Sequence, residues 1–258
     1  MKATYKNYFG PRSAAARYAR GRPRFHSFVI EKIKKFLAIE KSVDFALDVG
    51  CGTGLSSVAL KEIAESIVGI DISAEMVNQA NKADSIEYVL ASAENLPFGS
   101  NKFDLMTISQ AIHWVDKKKF FPEADRVLKP NSLIIAYDNY FQGQMLDDPG
   151  FNDWYREEFL REFPVPPRGV REFAATSNNP KDFVLKHEEF NKNTLEFSVG
   201  ELVDYLVTIS NVIAQVENGT QAIEEVYDRL TKSIEPFFNG TVKKFAFINP
   251  IWCLRRNL

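Results

Sequence analysis

Short apolar runs alternate with segments of helical periodicity over residues 44–138, and this alternation limits the possible folds more than any other feature. Each run has the length of a strand buried on both faces, and each intervening segment repeats its apolar residues every three or four positions. Strand and helix in repeated succession predict an open, mostly parallel sheet with helices on both faces. The predicted strands are Asp44–Gly50, Ser66–Asp71, Ile86–Leu90, Phe103–Ser109 and Ser132–Asp138. The predicted helices between them are Leu55–Ala64, one that begins after Ser73 as its N-cap, and Lys117–Leu128.

The sequence on either side of this region is less regular. Phe25–Ile39 predicts an amphipathic helix, and the polar, arginine-rich stretch Tyr5–Arg24 before it is predicted to be irregular. Residues 139–186 break the alternation, with helical periodicity at Phe151–Phe163 and then a proline-containing loop, which predicts a cap inserted after the fifth strand. Further elements are expected as a strand at Glu188–Val199, helices at Leu202–Val216 and Ala222–Ile234, and a last strand beginning at Val242–Ile248.

Composition argues against several classes of protein. Hydrophobic residues make up 45% and charged residues 26% of the chain, which is typical of a globular protein. The net charge of -2 disfavours a surface for nucleic acid or for an anionic membrane, so we expect neither partner. Cys51 and Cys253 form no metal-ligand pattern, and we expect no metal. No apolar run reaches the ~20 residues that span a bilayer, and a cytoplasmic location is expected.

Three glycines follow the first predicted strand, in the run Leu47–Gly54. Glycine at alternating positions lets the backbone turn tightly and approach a ligand without a Cβ atom in the way. The dinucleotide pattern needs a further glycine where Leu55 stands, and the phosphate-binding GxxxxGK[ST] loop is absent. Asp71 ends the second strand, where a carboxylate of this fold class faces a ribose. The glycine run and Asp71 together therefore favour a nucleoside ligand over a polyphosphate.

These motifs resemble those of a known family. Asp48–Gly54 with Asp71, Ala93–Phe98 and Val127–Pro130 are similar, in this order, to motifs of class I S-adenosylmethionine-dependent methyltransferases with a type 11 domain. The resemblance covers residues 40–138. Arg20–Pro23 and Ala111–Val115 further resemble the trans-aconitate methyltransferase-like branch, which acts on small molecules.

The resemblance implies a Rossmann-like α/β fold with a seven-stranded sheet of order 3-2-1-4-5-7-6, whose last strand is antiparallel. It also implies a division of the chain into regions: 1–40, an arm and helix covering the cofactor; 41–138, the cofactor-binding core; 139–186, the cap; and 187–258, the completion of the sheet.

The resemblance implies a role for each matching residue toward S-adenosylmethionine. The methionine part would lie on Gly50, Cys51, Gly52 and Gly54, with Asp48 reaching its ammonium group. Asp71 would bind the ribose, and the adenine would contact Ile72, Met76, Ser92, Ala93 and Glu94. Ser109 and Gln110 would border the sulfonium, and Tyr18 and Arg22 would cover the carboxylate.

Other candidate residues each have a simpler interpretation. His113 is the candidate general base, although a histidine that only fixes its loop is the favoured alternative. Trp114 is expected to pack, and catalysis by Cys51 is disfavoured because methyl transfer needs no covalent intermediate. One of the cap arginines is a candidate clamp for a substrate carboxylate. These are Arg156, Arg161, Arg168 and Arg171.

The predicted function is methyl transfer to a small molecule, with a carboxylic acid as the preferred acceptor. N- or C-methylation of another metabolite and cofactor binding without catalysis remain open, as does a nicotinamide oxidoreductase. The oligomeric state is expected to be a monomer or a homodimer.

Overall fold

The computed structural model describes residues 9–37, 41–167, 183–217, 219 and 221–256. The strands are β1 (Val43–Val49), β2 (Ala64–Asp71), β3 (Ile86–Leu90), β4 (Phe103–Ser109), β5 (Leu128–Tyr137), β6 (Tyr140–Met145), β7 (Phe183–Phe197) and β8 (Lys243–Arg256). The helices are α1 (Arg12–Gly21), α2 (His26–Leu37), α3 (Leu55–Leu60), α4 (Ala74–Asn78), α5 (Lys117–Val127), α6 (Pro149–Trp154), α7 (Leu160–Glu162), α8 (Val199–Leu206), α9 (Ser210–Glu217) and α10 (Ile223–Phe238). A π-helical segment, Tyr155–Phe159, joins α6 to α7.

The strands form an 8-stranded sheet of order β3-β2-β1-β4-β5-β8-β6, and β7 pairs with β8 outside that path. Strands β1 to β5 are parallel to their neighbours, whereas β8 runs antiparallel to β5. The predicted doubly wound sheet, with its last strand between the fifth and sixth, is therefore confirmed. The strand beyond β8 is β6, from the stretch predicted as a helical cap, while the predicted strand Glu188–Val199 belongs largely to β7.

The chain divides into two compact units, and the first, which we call the sheet unit, comprises the described residues 24–37, 41–139, 183–191 and 249–256. Apolar side chains cover both faces of its strands. On one face Phe120 and Val127 of α5 pack over Met106 and Ile134. On the other face residues of α2 and α3 pack over Leu105 and Ile135. Helices on both faces are what near-continuous apolar strands require.

The second unit, the helical unit, comprises the described residues 9–23, 140–167, 192–217, 219 and 221–248. Its core is rich in aromatic side chains contributed by β6, the π-helical segment, α8 and β8. Phe141, for example, lies edge-on to Tyr155 and Tyr205, with ring centroids 5.2 and 5.6 Å apart. Edge-to-face geometry is the favoured arrangement of aromatic pairs, so the packing here is specific as well as apolar.

The prediction of an irregular arm at Tyr5–Arg24 is wrong where the structure describes it, because residues 12–21 form α1. Ala14 and Ala15 are fully buried, and Arg17 makes an ion pair of 2.6 Å with Glu217. Alanine is the best helix former, and the aliphatic part of each arginine side chain adds apolar surface. The segment is therefore an amphipathic helix, although its many arginines make its mean hydropathy polar. The part of the arm before residue 9 lies outside the described residues.

The single helix predicted at Leu202–Val216 is two helices, α8 and α9. α8 ends at Leu206, and two residues later the backbone N–H and the hydroxyl of Thr208 both donate to the carbonyl of Tyr205, at 2.9 and 2.6 Å. A threonine hydroxyl that bonds to the backbone competes with the helical pattern. Taken singly, none of the helices in the described ranges has both the length and the apolar character to cross a membrane. Val199–Leu206 and Ser210–Glu217 meet those criteria only together, with a bend of 67° between them.

The contact between α1 and α8 predicts the effect of adding one methyl group at Gly21. A Cβ atom there would lie 2.1 Å from the backbone oxygen of Asp204, which cannot move aside as a side chain can. We expect Gly21→Ala to lower the opening free energy of the α1 amides by about 1–3 kcal/mol, measured by hydrogen exchange. The control Gly200→Ala, where the Cβ meets open space on α8, should leave α1 unchanged. Equal exchange of the α1 amides in both variants would contradict this contact.

Candidate functional site

A left-handed glycine turn follows β1 at the carboxyl edge of the sheet. Gly50, Gly52 and Gly54 have φ values of 68°, 53° and 80°. A Cβ atom at Gly50 would lie 2.5 Å from the Cβ of Ala111, and one at Gly54 would lie 2.2 Å from the hydroxyl of Tyr88. Both the backbone angles and the lack of space therefore require glycine in this turn.

The carboxylate of Asp71 joins this turn to the end of β2. The backbone N–H of Gly52 donates to its Oδ2 and that of Ser73 to its Oδ1, each at 2.9 Å. Burial raises the pKa of Asp71, although the hydrogen bonds from the backbone act in the opposite direction. The next residue, Ile72, keeps its side chain 64% exposed. The turn, the acid and an exposed apolar side chain thus lie at one edge of the sheet.

Asp48 is fully buried beneath the turn, held by hydroxyl groups that the sequence analysis did not single out. Ser56 and Ser57 donate to its Oδ2 at 2.6 and 2.7 Å, and Thr107 donates to its Oδ1 at 2.9 Å. Burial raises the pKa of Asp48, and the three hydroxyl bonds oppose that shift. Thr107 is a polar residue in a mostly apolar strand, but nothing in the sequence pairs it with Asp48.

The predicted adenine-contacting residues lie beyond β2 and β3. Met76 is buried in α4, and its backbone N–H donates to the hydroxyl of Ser73 at 3.3 Å, which confirms the predicted N-cap. Glu94 accepts from the hydroxyl of Ser92 and, at 2.8 Å, from the backbone of Asp116. Ala93 between them is buried in the core. These contacts fix the loop after β3 against the start of α5.

The end of β4 carries Ser109 and Gln110. Gln110 has a φ of 53°, which is uncommon for a residue other than glycine, and its N–H donates to the carbonyl of Tyr137 at 2.9 Å. Backbone strain of this kind recurs at functional sites. His113 is buried, and its ring lies 4.9 Å from that of Trp114, so its role as a general base stays a prediction. Burial also raises the pKa of Cys51, which argues against a nucleophilic role.

A buried histidine–tyrosine pair beside Ser109 was also missed. The Nδ1 atom of His26 lies 3.0 Å from the hydroxyl of Tyr137, and Ser109 is the partner of Tyr137 in the β4–β5 register. Both rings are nearly inaccessible, and burial raises the pKa of Tyr137. Nothing in the spacing of residues 26 and 137 indicates this contact, because it depends on how α2 packs on the sheet.

Two predicted site residues, Tyr18 and Arg22, belong to the helical unit. The guanidinium group of Arg22 lies 4.5 Å from the ring centre of Tyr18 and 5.5 Å from that of Tyr205. It also donates to the carbonyl of Thr208 at 3.0 Å. The structure thus brings these two residues together and leaves their predicted role toward a cofactor as a prediction. Among the cap arginines, Arg156 and Arg161 are exposed, whereas Arg168 and Arg171 lie outside the described residues.

Part of the chain is similar in sequence to known methyltransferases. Residues 47–136 match the model of a methyltransferase domain. A demethylmenaquinone methyltransferase from Corynebacterium urealyticum is 32% identical over 146 residues, which are 56% of this chain and 59% of the relative. A malonyl-[acyl-carrier protein] O-methyltransferase from Buchnera aphidicola is 30% identical over 132 residues, 50% of each chain. The matches span between 36 and 59% of the length of such curated relatives.

The fold has a close counterpart among solved structures. A protein from Anaeromyxobacter dehalogenans, proposed to be a type II methyltransferase, superimposes with a TM-score of 0.70 at 20% identity. The superposition covers 90% of this chain and 97% of the other. This likeness shows the fold alone.

The burial of Asp48 predicts an unusual dependence of stability on pH. Its pKa is raised in the folded chain, so the folded chain binds the proton more tightly and loses stability as pH rises above the unfolded pKa. Asp48→Asn removes this titration. We therefore expect its unfolding free energy, relative to the parent chain, to increase as pH rises from about 4 in urea titrations.

Asp48→Ala serves as the control, because it leaves three hydroxyl groups without their acceptor. It should be less stable than Asp48→Asn at every pH, by about 1–3 kcal/mol, because neither variant titrates at this position. A difference between the parent chain and Asp48→Asn that does not change with pH would contradict the raised pKa.

Proposed function

We propose that the chain transfers a methyl group from S-adenosylmethionine to a small-molecule acceptor, because residues 47–136 match the model of a methyltransferase domain and the fold is shared with a solved structure. One observation carries the proposal: the left-handed glycine turn is bonded to the carboxylate that ends the neighbouring strand, by the N–H of Gly52 at 2.9 Å from Asp71. A glycine-lined backbone and a carboxylate one strand away suit an adenosyl ligand.

The residues at this edge fit such a ligand. The hydroxyl of Thr53 in the turn is buried and has no hydrogen-bond partner among the described residues. Ile72 is exposed next to Asp71, which is the place of an apolar contact for a purine. A buried polar atom without a partner costs stability unless something binds it, and Ile72 supplies apolar surface at the same edge.

We assign the cofactor contacts accordingly. Asp71 holds the ribose hydroxyls, Ile72 and Met76 contact the adenine, and Asp48 stabilises the ammonium group from beneath the turn. The other proposed contacts, all within the sheet unit, are Gly50, Cys51, Gly52 and Gly54 to the methionine part, Ser92, Ala93 and Glu94 to the adenine edge, and Ser109 and Gln110 to the sulfonium.

S-adenosylmethionine supplies a methyl group already activated by its sulfonium, so the chain has mainly to align the acceptor and exclude water. Gln110 and Ser109, at the end of β4, position the reacting groups. We propose a carboxylic acid as the acceptor, as in the trans-aconitate methyltransferase-like branch. A carboxylate is already anionic at neutral pH, and the buried, packed ring of His113 is consistent with a reaction that needs no base.

The acceptor itself belongs to the proposal, because relatives of nearly equal identity are named for demethylmenaquinone and for malonyl-[acyl-carrier protein]. The net charge of -2 supports a small molecule over nucleic acid or an anionic membrane, and a cytoplasmic location is proposed with it. Leu55, where a dinucleotide fold has glycine, disfavours a nicotinamide cofactor.

Calorimetry with S-adenosylmethionine tests the cofactor site. Asp71→Ala removes the acceptor of two backbone hydrogen bonds and the proposed ribose contact, and Gly52→Val places a β-branched residue at φ 53°. We expect each to weaken binding about 100-fold or more. The controls are Asp44→Ala, at the exposed start of β1, and Gly99→Val, where a Cβ meets open space. Unchanged affinity in both site variants would refute the proposed function.

Product chemistry tests the acceptor. Incubation with S-adenosylmethionine and a panel of carboxylic acids, phenols and amines should give a methylated acid, detected by mass. Mild alkali should remove the new methyl group, because an ester hydrolyses whereas N-methyl and C-methyl products do not. A product resistant to alkali would indicate N-methylation, C-methylation or O-methylation of a phenol. Binding without any S-adenosylhomocysteine would favour a cofactor-binding protein without catalysis.

A further inference from the structure

Strand β7 offers an open edge. Within the part of the chain that the structure describes, β7 pairs with β8 and with no other strand. Its outer edge therefore presents backbone N–H and C=O groups to any strand that can reach them. Folded proteins usually protect such an edge, because an exposed one is a template for pairing with another chain.

The half of β7 in the sheet unit leaves two large apolar side chains on this edge. Val184 is 40% exposed and Phe190 is 60% exposed. Between them, Lys186 and Glu188 are also exposed, so every second side chain from residue 184 to 190 faces solvent. The four exposed side chains are, in chain order, apolar, positive, negative and apolar. Two antiparallel copies of this segment therefore place opposite charges, and apolar side chains, across from each other.

We propose that the segment Val184–Phe190 pairs antiparallel with the same segment of a second copy, about a two-fold axis at His187. This register sets Val184 opposite Phe190 of the other copy, and Lys186 opposite Glu188. The symmetry repeats each contact, so two apolar pairs and two ion pairs form. Cross-strand pairs of both kinds stabilise a sheet, and a self-complementary patch is what a two-fold interface requires.

Neighbouring contacts hold this edge in place. The Nε1 atom of Trp252 donates to Glu188 at 2.7 Å, and Lys32 lies 3.7 Å from Glu189. At the proposed axis the ring of His187 stacks on Phe36 at a centroid distance of 3.9 Å, and Phe36 is itself 38% exposed. The two copies of this stacked pair would meet at the axis and add apolar area to the strand pairing.

Charge reversal tests the proposal through sedimentation equilibrium over a range of concentrations. The parent chain should dimerise reversibly. Lys186→Glu sets two acidic residues opposite each other twice, and Glu188→Lys does the same with two basic residues, so each should weaken the dimer about tenfold or more. An equimolar mixture of the two variants should recover a dimer, because each introduced charge then meets its opposite. Lys192→Glu, an exposed lysine of β7 outside the segment, should dimerise as the parent chain does.

A cysteine at the axis gives a second measurement, should Glu188→Lys unfold through loss of its bond with Trp252. Both native cysteines are buried, so His187→Cys should form a disulfide-linked dimer on mild oxidation, whereas Lys192→Cys should not. A parent chain that stays monomeric overturns the proposal, whatever else binds the edge. So does a dimer that is indifferent to both charge variants, a mixture that stays dissociated while both variants remain folded, or a folded His187→Cys variant that forms no linked dimer.

Discussion

The hydrogen bond from the N–H of Gly52 to Asp71 is the interaction on which the candidate site depends. It fixes the distance between the turn that follows β1 and the end of β2, which are separated in the chain by α3. The turn can adopt this position only because its glycines accept positive φ angles. Asp48 is buried and Asp71 is half-buried, and each accepts hydrogen bonds that compensate for the loss of water. The site therefore combines a turn at positive φ with two carboxylates whose pKa values are raised by burial, and shifted pKa values of this kind cluster at functional sites.

Much of the fold could be predicted because burial imposes clear periodicity. β3 and β4 have the predicted bounds, Ser73 caps α4, and the helix before Lys129-Pro130 ends where the proline requires. The sequence predictions were wrong where the local sequence does not indicate which residues are buried. The arginines of α1 concealed a buried alanine face, and β6 gave no strand signal, since its aromatic residues depend on partners in β8 such as Phe247.

The candidate site divides in the same way. The glycine turn and Asp71 could be found because their spacing follows from one strand–helix–strand unit, and local geometry fixes it. The hydroxyls around Asp48 and the contact of His26 with Tyr137 could not, since they join residues brought together only by packing. The spacing of residues in the sequence indicates contacts between elements that follow one another in the chain. These contacts depend instead on the register between β1 and β4 and on how α2 packs on the sheet.

The pairing of β5 with β8 has a consequence for how the protein is made. Residues Leu133–Tyr137 of β5 bond to Ile251–Arg255, which leave the ribosome long after the five parallel strands have emerged. Until then the edge of β5 that faces away from β4 has no partner strand. The incomplete sheet of the nascent chain therefore exposes an edge that can pair with another chain. The sheet can be completed only when β8 has been synthesised, so a chain that has made β1 to β5 is an aggregation-prone intermediate that chaperones can protect.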